Sequence, residues 1–239
     1  DPEMSRGLGD VYKRQIFCNL TEFVIIYIPS QLQYLIKKGG IHMKQLNWAT
    51  LGCGVIANEL SQALSKEGRT LYSVANRTHE KAQAFAQKYG ISKVYDNIDD
   101  VFYDPDVDII YISTPHNTHI NYLRKALSNG KHVLCEKSIT LNIAELDEAV
   151  SLAKENNVIL AEAMTIYHMP VYKKLNEIIA SGQLGRLNLI QVNFGSYKDY
   201  NMTNRFFSRK LAGGALLDIG VYSLSLIRWF FKETPTQVS

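Results

Sequence analysis

The chain has 239 residues, 46% of them apolar and 21% charged, the balance of a folded globular protein, which excludes wholesale disorder. A formal net charge of +3 without a Lys/Arg tract gives no nucleic-acid footprint. Three cysteines and no CxxC pair exclude a disulfide scaffold and point to a reducing, cytoplasmic setting.

The Ile16 to Ile36 stretch is apolar, but Glu22 and Pro29 interrupt it, and Asn19, Thr21, Gln31 and Gln33 dilute it. Neither a spanning helix nor a signal segment is expected there, and no membrane partner. Back-translated, Lys38-Gly39-Gly40 reads as a ribosome-binding sequence ahead of Met43, and Met4 to Gln15 resembles a translated adapter. Residues 1–42 are therefore expected to be a non-native leader; the alternative is a poorly ordered N-terminal extension.

From Met43 strands alternate with helices. Leu46 to Leu51 is a short apolar run ending at Gly52, and Val55 to Lys66 carries Ile56, Leu60, Ala63 and Leu64 on one helical face. Leu71 to Ala75 reads as a strand, and Thr78 is placed to cap a helix over Lys81 to Tyr89. Val107 to Ser113 has the continuous apolar character of a strand buried on both faces. His116 to Leu127 reads as helix and Lys131 to Cys135 as strand. Asn142 is placed to cap Ala144 to Glu155, and Val158 to Ala161 closes the series. This rhythm predicts a Rossmann-type, doubly wound parallel sheet over residues 43–164. Beyond it, Pro170 to Ser181 and Asp218 to Phe231 read as helices, and Leu187 to Phe194 alternates like an antiparallel strand. Residues 165–239 are thus expected to begin an α+β substrate and dimerisation domain with a mainly antiparallel sheet, left incomplete at Ser239.

Four motifs carry chemistry. Gly52-Cys53-Gly54-Val55-Ile56-Ala57 is a GxGxxA dinucleotide fingerprint between a strand and a helix. Gly52 makes the tight turn, Gly54 lets backbone approach a pyrophosphate, and Ala57 allows close helix–strand packing. After the second strand, Ala75-Asn76-Arg77-Thr78 holds no acid for a ribose 2′-hydroxyl. Arg77 can pair with a 2′-phosphate and Thr78 can add a hydroxyl bond, which favours NADP, with NAD the second candidate. The alternative for Arg77 is a solvated surface charge.

Thr114-Pro115-His116-Asn117-Thr118-His119 follows the most apolar strand, where open α/β sheets bind ligands. Thr114, Pro115, His116 and His119 are expected to touch the cofactor or cap a helix rather than hold a metal, since no matching Cys, Asp or Glu set stands nearby. Cys135-Glu136-Lys137-Ser138 puts Lys137 at a strand end, where desolvation can fit it for proton transfer; an ordinary surface lysine is the alternative. In Gly213 to Tyr222, Asp218 and Tyr222 stand four apart on one helical face, though a cap and a core aromatic fit the same pattern.

Taken together, GCGVIA, TPHNTH, CEKS and GGALLDIGVY resemble the glucose–fructose oxidoreductase, inositol dehydrogenase and rhizopine catabolism family over Met43 to Ser239. DIGVY and Ala161-Glu162-Ala163-Met164 look most like its dimeric dihydrodiol dehydrogenase and D-xylose dehydrogenase branch. The resemblance implies hydride transfer between NAD(P) and a sugar, polyol or cyclic diol, in a homo-oligomer when full-length. It implies catalytic roles for Lys137, Asp218 and Tyr222, with Tyr222 as the proton group. Glu136 and Lys137 would also contact the cofactor. Ser138 departs from the family's usual Glu-Lys-Pro motif. A non-catalytic NADP-binding sensor, or an inactive fragment of the enzyme, is the competing reading.

Overall fold

The apolar runs between the helices assemble edge to edge in one seven-stranded sheet. The structure, a computed structural model, describes residues 24–27 and 46–237 except 196 and 234. The strands are β1 (Val24–Tyr27), β2 (Trp48–Leu51), β3 (Ser73–Ala75), β4 (Lys93–Val94), β5 (Ile109–Ile112), β6 (His132–Cys135) and β7 (Leu160–Glu162). Their order is β1-β7-β6-β5-β2-β3-β4. From β2 to β7 every pairing is parallel. β1 falls inside the expected leader and adds an antiparallel strand beside β7.

Helices α1 (Val55–Lys66), α2 (His79–Tyr89), α3 (Asp100–Tyr103), α4 (His119–Ser128) and α5 (Ile143–Glu155) cover the sheet. Alternation along each strand divides the core in two. Leu51, Ile110, Ile112, Val133 and Leu160 pack with Leu123 and Leu127 of α4 and Ala149 of α5. Val74, Tyr111 and Leu134 pack on the other side with Leu60 of α1 and Phe85 of α2. Full burial of each large apolar side chain contributes about 1.5–3 kcal/mol.

Asn142 caps α5 as expected, its side chain accepting from the Glu145 N–H at 3.0 Å, while the Glu145 carboxylate accepts from the Leu141 N–H at 3.0 Å. Thr78 occupies the cap position of α2 without a side-chain cap bond. Its carbonyl instead accepts from Asn76 Nδ2 at 3.0 Å and from the Lys81 N–H at 3.1 Å.

Beyond the sheet, α6 (Pro170–Ala180) and α7 (Val221–Phe231) pack together, and Leu226 joins Met164 and Ile166 in a small third core. A π-helical turn over Leu216–Gly220 leads into α7. Arg209–Phe231 is long and apolar enough to cross a membrane by length and composition alone. The expected antiparallel strand over Leu187 to Phe194 does not form. Among the described residues no segment lies alongside it to complete a ladder, so its alternation has no hydrogen-bonding partner, and Leu189 and Phe194 are exposed.

Candidate active site

Register aligns the carboxyl ends of five strands. Leu51 stands opposite Ala75 and Ile112, Ile112 opposite Cys135, and Cys135 opposite Glu162. The next residue of each strand therefore forms a row, Gly52, Asn76, Ser113, Glu136 and Ala163, and all five line one cavity of about 900 Å³. The cavity opens where strand order reverses between β2 and β5, the switch point at which open α/β sheets take ligands.

The fingerprint turn fits a dinucleotide. Gly52 has φ +108°, donates its N–H to the Ala75 carbonyl at 2.9 Å, and leaves no room for a Cβ, which would stand 2.9 Å from Ser113 Oγ. Gly54 differs: a Cβ there would meet nothing within 4 Å, so the space over it belongs to the cavity. No side chain caps α1 and no acid occupies its first turn, so its leading N–H groups and positive dipole end remain for an anion. Val55 and Ile56 line the cavity with their apolar side chains exposed. Ala57 does not line it; fully buried beneath the turn, it serves helix–sheet packing. Asn76 and exposed Arg77 line the cavity, whereas Thr78, also exposed, is not among its lining residues.

Thr114, Pro115 and His116 form the next part of the wall. The Thr118 hydroxyl is within bonding distance of Thr114 Oγ1 at 2.8 Å and the Pro115 carbonyl at 2.7 Å, fixing this turn. His116 is buried; desolvation first, then the charges of His119, Lys137 and Arg205, push its imidazole down to about 4. It is neutral at physiological pH. His119, expected to touch the cofactor or cap the helix, does not line the cavity. It is fully buried, with Nδ1 2.9 Å from the Ser138 carbonyl and Nε2 2.8 Å from the Thr114 carbonyl, and it ties the two loops together. Desolvation also lowers its pKa, against the pull of those carbonyls. Among the described residues no group of three or more His, Cys, Asp or Glu is placed to hold a metal.

In the same cavity, Lys137, Asp218 and Tyr222 converge from segments far apart in sequence. Lys137 Nζ donates to the Asp218 carbonyl at 2.5 Å and to Asp218 Oδ1 at 3.2 Å, and stands 5.1 Å from the Tyr222 ring centroid. Ser138 Oγ donates to the Leu217 carbonyl at 3.1 Å, and the Lys137–Ser138 peptide is cis. Just before this segment Gly213 lets the 205–208 loop fold close, since a Cβ there would meet the Ser208 carbonyl oxygen at 2.8 Å. Lys137 and Asp218 are each less than a quarter exposed.

Several wall residues were not anticipated. Tyr111, read as core, donates its hydroxyl to Glu136 Oε1 at 2.6 Å. Burial raises the Glu136 pKa, and the Tyr111 bond and the Lys137 charge oppose that rise. Strand alternation could have singled out Tyr111, since it points away from Ile110 and Ile112. His168, Lys198, Arg205 and Phe206 also line the cavity, from segments without a periodic signal.

A Gly-rich strand–turn–helix, orphaned helix N–H groups and a cleft at the switch point define a Rossmann-type dinucleotide-binding domain. The chain belongs to the GFO/IDH/MocA oxidoreductase family. Residues 46–164 match its NAD-binding Rossmann fold and residues 172–239 its C-terminal domain.

The chain is 33% identical over 196 residues to trans-1,2-dihydrobenzene-1,2-diol dehydrogenase of Xenopus tropicalis, covering 80% of this chain and 59% of that protein. It is 34% identical over 198 residues to the Homo sapiens enzyme of the same name, covering 81% and 59%. Among solved structures, aldose-aldose oxidoreductase from Caulobacter crescentus, complexed with glycerol, superposes with a TM-score of 0.68 at 26% identity, covering 80% and 59%. The chain thus spans 59% of the length of each. These likenesses bear out the family and the Rossmann fold expected from the motifs.

Proposed function

We propose that the protein is a dehydrogenase that transfers a hydride between NADP(H) and a hydroxyl or carbonyl carbon of a sugar, polyol or cyclic diol. The observation that carries this reading is the meeting of Lys137, Asp218 and Tyr222 in the cavity that the fingerprint turn also lines. The dihydrodiol dehydrogenases and the aldose oxidoreductase among the relatives support the substrate class.

The turn at Gly52 and Gly54 and the first N–H groups of α1 would hold the pyrophosphate. Arg77, with no acid in the Ala75–Thr78 segment, supports NADP through its 2′-phosphate. When bound, the nicotinamide supplies or accepts the hydride. Asp218, held by Lys137, would orient substrate hydroxyls. Tyr222 would exchange the hydroxyl proton, with the Lys137 ammonium standing 5.1 Å from its ring centroid. Glu136, fixed by Tyr111, would contact the cofactor beside Lys137. The free thiols of Cys53 and Cys135 support a cytoplasmic setting.

The test is NADP reduction followed at 340 nm with D-xylose, D-glucose and trans-1,2-dihydrobenzene-1,2-diol, on wild type and Tyr222→Phe. Removing positioned acid–base help should lower turnover by about 10²–10⁴ and leave NADPH binding intact. Equal turnover in the variant removes Tyr222 as the proton group.

A further inference from the structure

We propose that the substrate of this cleft carries an anionic group, a carboxylate or a phosphate, bound by Lys198 and Arg205; the proposal rests on the dehydrogenase reading above. Both side chains line the cavity, and both hold their charge against one ring. Lys198 Nζ is 4.8 Å and Arg205 Cζ 4.3 Å from the Phe206 centroid. Two like charges gathered on one ring repel, and cation–π contact offsets that by only about 0.5–1 kcal/mol at an exposed site.

Among the described residues no carboxylate neutralises either cation. Asp199, next in sequence to Lys198, accepts the Tyr197 hydroxyl at 3.0 Å and does not line the cavity. The cavity's own acids are committed elsewhere or stand on another element. Glu136 bonds Tyr111, Asp218 bonds Lys137, and Glu59 is on α1. An anion placed between Lys198 and Arg205 would supply the missing charge, and the planar guanidinium fork matches carboxylate and phosphate alike.

The pair stands at the substrate end of the cleft. Arg205 acts electrostatically on His116 together with Lys137 and Asp218. The Arg209–Leu211 turn, which follows Phe206 closely in sequence, packs on His116–Thr118. Arg77, assigned to the cofactor, follows β3 on the far side of β2 from β5. The class that fits both ends is a polyhydroxy compound with one acidic terminus, a sugar acid or a sugar phosphate, its reacting carbinol near Tyr222.

The full chain is first titrated with NADPH by nicotinamide fluorescence. The saturated complex is then titrated calorimetrically, at constant ionic strength, with D-gluconate, D-glucose 6-phosphate and D-glucose. NADPH has no acceptor at the carbinols of these compounds, and constant absorbance at 340 nm during the titration checks that the open-chain aldehyde of the two aldoses is not reduced. At least one anion should bind roughly tenfold or more tighter than glucose, about 1.4 kcal/mol per tenfold. Preference for gluconate alone identifies a carboxylate, and for glucose 6-phosphate alone a phosphate. Arg205→Gln and Lys198→Gln, both exposed positions, should each abolish that preference with NADPH affinity unchanged. Equal binding of all three sugars, no binding of either anion, or a preference that survives both variants overturns the proposal. So does a loss of NADPH affinity in the variants, which would give the pair to the cofactor. A wild type that binds no NADPH overturns the dehydrogenase reading in the first titration and takes this proposal with it.

Discussion

Gly52 and Gly54 stand two residues apart in one turn, yet replacing each by alanine should break different properties. At Gly52 the φ of +108° lies in the region alanine avoids, at a cost of about 1–3 kcal/mol. The new Cβ would also stand 2.9 Å from Ser113 Oγ and 3.0 Å from the Ser113 carbonyl oxygen, and that crowding costs about 1–3 kcal/mol more. A combined loss of about 2–6 kcal/mol should lower Tm by roughly 4–24 °C. At Gly54 the backbone is ordinary, φ −75° and ψ −171°, and a Cβ meets nothing within 4 Å. Gly54→Ala should leave folding intact or raise stability by about 0.4–1 kcal/mol. Its methyl would occupy the space a pyrophosphate needs, so NADPH affinity should fall at least about tenfold, or 1.4 kcal/mol. Thermal melts with and without NADPH, beside a nicotinamide fluorescence titration, read both properties. Undiminished NADPH binding by Gly54→Ala would refute the assignment of the turn to the phosphates, and a wild-type melt for Gly52→Ala would refute the steric account.

Arg77→Gln should weaken NADPH by about 10–100-fold, the worth of one charge-assisted bond of about 1.5–3 kcal/mol, and leave NADH unchanged; parallel titrations with the two cofactors check it. Tyr111→Phe deprives the Glu136 carboxylate of its 2.6 Å donor. Because Tyr111 favours the charged form, the loss of about 1–3 kcal/mol should appear in urea denaturation at pH 8 and shrink as the pH falls through the raised pKa of Glu136 and the carboxyl takes its own proton. His116 gives a slope of the other sense. From its ordinary 6.5 down to about 4, the unfolded chain takes a proton that the folded chain refuses. Stability should therefore fall with pH across that window, by up to about 3 kcal/mol. A His116→Gln variant with the same pH slope as wild type would contradict this.

The strands most legible in the sequence were those whose apolar runs are buried on both faces, such as Ile109–Ile112, because burial on two sides removes the need for polar alternation. β4 and α3, of two and four residues, are too short to show any period, and tertiary contacts hold them. Lys93 of β4 bonds Asp104 at 2.6 Å, just past the end of α3. The Leu187 to Phe194 alternation was real but insufficient, since a strand exists only with a neighbour. At the site, sequence adjacency placed residues on the correct loops without fixing which face they present. His116 and His119 are three apart, yet one lines the cavity and the other is locked between two carbonyls. Thr78 follows Arg77 yet does not line the cavity with it. Lys198 and Arg205 lie in a segment without periodicity, where only the folded loop shows what they face.

The two halves of the site have different physical origins, and this bears on how catalysis would be controlled. The cofactor half is a consequence of register: once β2, β3, β5 and β6 pair, Gly52, Asn76, Ser113 and Glu136 cannot avoid forming a row. It is as stable as the sheet that makes it. The reacting half depends on Lys137 reaching Asp218, and on Ser138 reaching Leu217, across a chain separation of about eighty residues. Those bonds anchor a segment whose helices bury little: α6 has no buried residue and α7 has Leu226. Opening that contact would release the Lys137 ammonium from both of its Asp218 acceptors and carry Tyr222 away from it, without disturbing the sheet. Amide exchange should therefore be much faster in α7 than in β5, with slowing of α7 on adding a ligand that bridges the two halves. Equal protection of both elements in the free chain would mean that the reacting half is as firmly built as the sheet, and that it is not the part that yields first.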